Sequence, residues 1–154
     1  MEQTYTHTLE SALQARRDGR IEQWIHDFLL SEGVNTPLSD GLKLDTRQYL
    51  GPLELPMNLL TRCTGPEPGM KHHDPEESFN RRIAAIGTAL DQGFSPPPLF
   101  VNYSGGELTI NDGNHRYAAY EKAGWTKVAV IIWTTGQSDK EDFERRFPFP
   151  TLPL

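Results

Sequence analysis

The 154-residue chain has little cysteine, no long apolar run and no excess of basic charge. Its one cysteine, Cys63, cannot close a disulfide within the chain and cannot by itself build a structural zinc site, so the composition fits a reducing cytosol. No apolar stretch approaches the length that spans a bilayer. The opening residues MEQTYTHTLE have neither the charged nor the apolar region of a secretory signal. A soluble, cytoplasmic protein without a membrane partner is therefore expected. A formal net charge of -6 and a pI near 5.3 have the wrong sign for a surface that clamps a nucleic-acid backbone. Internal repeats and low-complexity tracts are absent as well, and the length fits one domain with one core.

What the chain does have is punctuation by glycine and proline. In RIEQWIHDFLLSEG the apolar residues Ile21, Trp24, Ile25, Phe28 and Leu29 recur on one helical face, with Gly33 as the stop. The preceding THTLESALQARRDG has weaker periodicity and predicts a helix with frayed ends before a turn at Asp18-Gly19. Residues 35–49 mix turn formers with isolated hydrophobics and predict a linker that wraps the core. GPLELPMNLL is apolar enough for a strand, which Pro52 and Pro56 confine to a sheet edge. TRCTGPEPGMKHH predicts a loop. DPEESFNRRIAAIGTALDQG predicts a helix with Asp74 as N-cap, Pro75 at the first position, Glu77 closing a capping box, and Phe79, Ile83, Ile86 and Leu90 on one face. LFVNY and ELTIN around Ser104-Gly105-Gly106 predict a hairpin, and KVAVIIW a buried strand. The tail FERRFPFPTLPL predicts an extended strap, either over the core or docked on another chain.

The chemistry concentrates in INDGNHRYAAYEKAG, residues 110–124, where a strand runs into a helix through glycine. Such a junction presents unpaired backbone N–H groups and the positive end of a helix dipole to an anion. Gly113 allows close backbone approach, and Asn114, His115 and Arg116 fall in the first turn. Arg116 supplies a fork suited to phosphate, and His115 a donor that can act as acid or ligand. Asp112 either caps or orients this motif or holds the Mg²⁺ that accompanies nucleotide phosphates. In the TGPEPG loop, Glu67 is a candidate general base toward a substrate hydroxyl, and Arg62 a candidate contact for phosphate or a substrate carboxylate. His72, His73 and Asp74 look like metal ligands by type, but adjacent histidines point apart and Asp74 is claimed by the helix start.

DGNHRYAAYEKAG, followed by an apolar strand and preceded by a hairpin and an amphipathic helix that ends in GFSPPPL, resembles the ParB/sulfiredoxin superfamily over residues 51–134. Its sharpest element is the pattern Gly113, Arg116, Ala119. The resemblance implies a nucleotide, ATP, ADP or CTP, with phosphates at the helix N-terminus. The sulfiredoxin branch carries its nucleophilic cysteine where this chain has Asn114, so the thiol intermediate of sulfinic acid reduction cannot form here. Asp112, Gly113, His115 and Arg116 match the Asp-Gly-x-His-Arg motif of free serine kinases, whose catalytic glutamate lies in the loop that Glu67 occupies. The branch that partitions DNA adds DNA-binding and dimerisation segments for which residues 136–154 are too short. A nuclease would need a carboxylate cluster and a cationic stripe.

The expected architecture is α/β (α+β): a small mixed sheet with packed helices and an N-terminal helical extension. The expected units are an extension and linker at 1–50, a nucleotide-binding core at 51–135 and a proline-rich tail at 136–154. The expected function is phosphate transfer to a small hydroxyl-bearing molecule or nucleotide hydrolysis, with Glu67, Asp112 and His115 catalytic. The alternative is a non-catalytic module in which a nucleotide or another anion switches contacts to a protein partner, made through the N-terminal helices or the tail.

Overall fold

The computed structural model describes residues 7–93, 95–148 and 152. Two helices open the chain, α1 (Leu9–Arg17) and α2 (Ile21–Leu30). Thr8 and Ser11 exchange side-chain to backbone hydrogen bonds and close a capping box on α1. The apolar face of α2 is buried as its spacing predicts, but the helix ends at Ser31, ahead of Gly33.

The segment expected as a linker contains a third helix, α3 (Thr36–Leu42), capped by the Asn35 side chain with Pro37 in its first turn. It then enters strand β1 (Arg47–Pro56), which starts before the apolar run. β1 is an edge strand, as its prolines require, with a bulge between Leu50 and Leu53 and a cis Gly51-Pro52 bond. The predicted loop holds three two-residue strands: β2 (Thr61–Arg62), β3 (Thr64–Gly65) and β4 (His72–His73). After them come α4 (Glu76–Asp91), the hairpin β5 (Leu99–Ser104) and β6 (Glu107–Asp112), α5 (Asn114–Lys122), β7 (Lys127–Thr135) and α6 (Gln137–Arg146). α6 replaces the extended strap expected at the start of the tail, whose end, apart from Leu152, lies outside the described residues. The Leu152 amide donates to Pro52 O at 2.8 Å, so that point of the tail meets β1.

The main sheet is mixed and ordered β1-β7-β5-β6-β2, and β3 pairs with β4 beside it. β7 lies between β1, antiparallel, and β5, parallel, and its apolar side chains enter a core on each face of the sheet. Alternation divides the core. Val101 and Tyr103 of β5 and Val128, Val130 and Ile132 of β7 face Tyr117 and Tyr120 of α5 and Phe143 of α6. Phe100 and Ile131 point the other way, into Trp24, Ile25, Phe28 and Leu29 of α2. Burial of each such side chain favours folding by about 1.5–3 kcal/mol as an upper bound. The first three helices are thus one layer of an α/β sandwich, sharing a core with the sheet. α4 lies against α5 through Phe79, Ile83, Ala118 and Ala119.

Candidate functional site

The β6–α5 junction has the predicted geometry. Gly113 sits at φ +98°, a left-handed conformation open to glycine, and a Cβ there would collide with Leu99. No side chain caps α5, so the first-turn amides of Asn114, His115 and Arg116 lack a side-chain partner. The junction opens into a cavity of about 420 Å³ lined in part by Gly113, His115, Arg116, Arg82, Phe28 and Ile86. Its walls come from α5, from α4 and from the end of α2.

Several predicted site residues are committed to the fold. Asp112 Oδ2 accepts from Arg116 at 3.1 Å, and Oδ1 accepts from Asn35 Nδ2 at 2.8 Å. Both oxygens of Asp112 are thus engaged within the protein, one with the N-terminal layer and one with the first turn of α5. Among the described residues, no three His, Cys, Asp or Glu side chains gather as a metal site. Arg116 also donates to Pro97 O at 2.6 Å and lies over the Phe28 ring, 5.8 Å from its centroid. It lines the cavity as a pinned charge.

The Asn114 side chain points into the protein. It is 5 % exposed; its Oδ1 accepts from the Cys63 amide at 2.8 Å and the Thr64 amide at 3.3 Å, and its Nδ2 donates to Ile110 O at 3.2 Å. The amide side chain clamps the β2–β3 segment to the start of α5. Cys63 is buried beside it, with Sγ 2.9 Å from Ile110 O.

Asp74 does not cap α4 as expected. Pro75 occupies the N-cap of α4 without a side-chain cap, and Asp74 Oδ2 instead lies 2.7 Å from His115 Nε2. The His115 hydrogen bond holds the Asp74 carboxyl below its ordinary value. His115 also packs on Phe79, with ring centroids 5.0 Å apart, and the Arg62 guanidinium lies 5.0 Å from the centroid of the same phenyl ring. Arg62 and Glu67 are brought together, but with each other: Arg62 Nη2 donates to Glu67 Oε1 at 2.5 Å. That bond lowers the Glu67 pKa, so the carboxylate is a weaker base than an unpaired glutamate. Neither residue lines the cavity, which His115 does.

Arg82 and Asn35 are the contributors that sequence reasoning passed over, and Asp74, read there as a helix cap, is instead the partner of His115. Arg82 stands one residue before the buried Ile83 on α4, a position that reads as a solvated helix face. Asn35 is 77 residues from its partner Asp112, so no local signal joins them.

No protein-family model matches the chain, and no curated protein matches it. Among solved structures it is similar to sulfiredoxin from Arabidopsis thaliana, with 19% identity, a TM-score of 0.38, and coverage of 65% of this chain and 99% of that one. It is similar to the truncated chromosome-partitioning protein ParB from Caulobacter crescentus complexed with CTP-gamma-S, with 18% identity, a TM-score of 0.39, and coverage of 70% and 56%. It is also similar to a free serine kinase in complex with AMP, with 18% identity, a TM-score of 0.38, and coverage of 55% and 30%. The aligned part is thus less than two thirds of the ParB and kinase chains.

Proposed function

We propose that the protein is a cytoplasmic nucleotide-binding protein that receives phosphate at the N-terminus of α5. The observation that carries this reading is the junction of three features in one cavity: the uncapped first turn of α5, the Arg82 and Arg116 charges, and an apolar wall of Phe28, Ala85 and Ile86. Amides and guanidinium groups complement phosphate oxygens. The apolar wall suits the flatter, less polar part of a nucleotide. Mg²⁺ would arrive with the phosphates and keep its waters, in accord with the engaged state of Asp112.

The chemistry proposed for the bound nucleotide is transfer of a phosphoryl group to a small hydroxyl-bearing molecule, or its hydrolysis. Phosphoryl transfer asks more for positioning and charge than for a strong base. His115, oriented by Asp74, would donate to a phosphate oxygen; Glu67, kept ionised by Arg62 and outside the cavity lining, would accept a hydrogen bond from an acceptor hydroxyl bound beside the cavity rather than in it. A second reading, a non-catalytic module switched by nucleotide, is favoured by the part of the cavity that the N-terminal layer supplies: Phe28, Glu32 and Gly33.

Calorimetric titration of the wild type and Arg82→Ala with ATP, ADP and CTP in the presence of Mg²⁺ tests the binding. Saturable binding by the wild type, weakened in Arg82→Ala, is the expected result; no binding to folded wild type removes the reading. Release of phosphate or its transfer to an acceptor, lost in Glu67→Gln, separates the enzyme from the module.

A further inference from the structure

We propose that Asn35 is a positioning residue of the phosphate site, resting on the nucleotide-binding reading above, and that it makes the N-terminal helical layer part of that site. Asn35 holds two elements at once. Its Oδ1 accepts from the Leu38 amide at 3.3 Å and caps α3, and its Nδ2 donates to Asp112 Oδ1 at 2.8 Å. Its own amide donates to Leu29 O at 2.7 Å, which fixes it to the end of α2. Val34, just before it, is at φ +47°, a left-handed conformation that β-branched residues seldom adopt. The turn between α2 and α3 therefore accepts backbone strain where it delivers Asn35.

The carboxylate that Asn35 contacts is the one that holds Arg116. Asp112 divides its oxygens between the two, Oδ1 to Asn35 and Oδ2 to Arg116. A carboxylate with one partner rotates about its side-chain torsions; one held on both oxygens presents a fixed acceptor. Asn35 thus sets the plane of the Asp112 carboxylate, and the carboxylate sets the Arg116 fork against the cavity. Phe28, from the same layer, lies under that guanidinium. The consequence is reciprocal. Phosphate that draws on Arg116 is sensed at the α2–α3 turn, and displacement of that turn loosens the phosphate site.

Substitutions at position 35 separate this role from helix capping. Asn35→Asp and Asn35→Ser both retain a capping oxygen, but the first replaces the amide donor with a charge facing Asp112, and the second withdraws the donor. Titration with Mg²⁺-free ADP should show affinity reduced by about tenfold or more in Asn35→Asp, of the order lost with one charge-assisted hydrogen bond. The reduction in Asn35→Ser should be smaller. Combining Asn35→Asp with Asp112→Asn restores a carboxylate–amide pair in the reverse sense and should recover much of the loss. Affinity unchanged in Asn35→Asp overturns the proposal, as does a double variant no better than the single one.

A readout without ligand keeps this test distinct from that of nucleotide binding itself. The Nη2–H resonance of Arg116, the group that donates to Asp112, assigned by its loss in Arg116→Lys, should exchange with water about tenfold faster in Asn35→Asp than in the wild type. If the wild type binds no nucleotide, the functional reading fails, and this exchange rate alone decides whether Asn35 positions Arg116. Equal rates in the two proteins overturn the positioning role.

Discussion

Asp74 Oδ2 and His115 Nε2 lie 2.7 Å apart, although 41 residues separate them in the chain and Asp74 has the sequence setting of a helix cap. The bond ties the entry of α4 to the first turn of α5, and it fixes which ring nitrogen of His115 is engaged.

This pairing has a pH signature. A carboxyl whose folded pKa is lowered contributes stability that is fully present above its unfolded value and is lost as pH falls through the folded one. For Asp74, with its pKa lowered chiefly by the His115 hydrogen bond, that window opens below about pH 4. Glu67 and Asp142 are shifted in the same direction, so the wild type should lose stability steeply there. Urea unfolding across about pH 3–6, an interval of about three units around that window, should give Asp74→Asn a shallower slope at the acid end. Superimposable slopes would mean that the bond does not persist in solution.

Gly113→Ala should damage the fold itself. The residue combines φ +98° with a Cβ direction blocked by Leu99 and by the Arg116 guanidinium. Left-handed strain costs about 1–2 kcal/mol and overpacking about 1–3 kcal/mol. Equilibrium denaturation should show a loss of about 2–4 kcal/mol. Gly69→Ala, at φ +85° with open space around it, should lose only the conformational part.

Asn114→Ala should be nearly as severe. Removing the buried amide leaves the Cys63 and Thr64 N–H groups without their side-chain acceptor, and unsatisfied buried groups cost about 1–3 kcal/mol each. Denaturant melts should report about 2–4 kcal/mol in total. Hydrogen exchange at the Cys63 amide should rise with it.

Arg82→Ala should separate binding from stability. Its side chain lines the cavity from an exposed position on α4, so the unfolding free energy should move by less than about 0.5 kcal/mol. Nucleotide affinity should fall about five- to tenfold, with a weaker dependence on salt.

Local signals were sufficient where an element carries its own periodicity and its own stop. α2 and α4 repeat apolar residues at helical spacing, β5 and β6 alternate around two glycines, and α5 is bracketed by Gly113 and Gly124. α3 was hidden because its seven residues hold only Leu38 and Leu42 as large apolar residues, too few for a period to emerge. α6 was hidden because only Phe143 is buried. Its docking instead relies on Tyr103, whose hydroxyl donates to Asp142 and accepts from Arg146. The strand-to-helix junction at Gly113 was legible because glycine and helix start are adjacent in sequence. The fates of Asp112, Asn114 and Asp74 were not, because each is decided by a partner far along the chain.

The position of β7 has a consequence for how the protein is made. β1 is complete at Pro56, yet its neighbour in the sheet begins at Lys127. During synthesis β1 emerges with its hydrogen-bonding edge unmatched and waits while the intervening 70 residues, 57–126, are added. β5 likewise lacks one flank until the same strand leaves the ribosome. The central sheet therefore forms late and through contacts distant in sequence, a topology that folds slowly and exposes β1 to pairing with other nascent chains until β7 arrives.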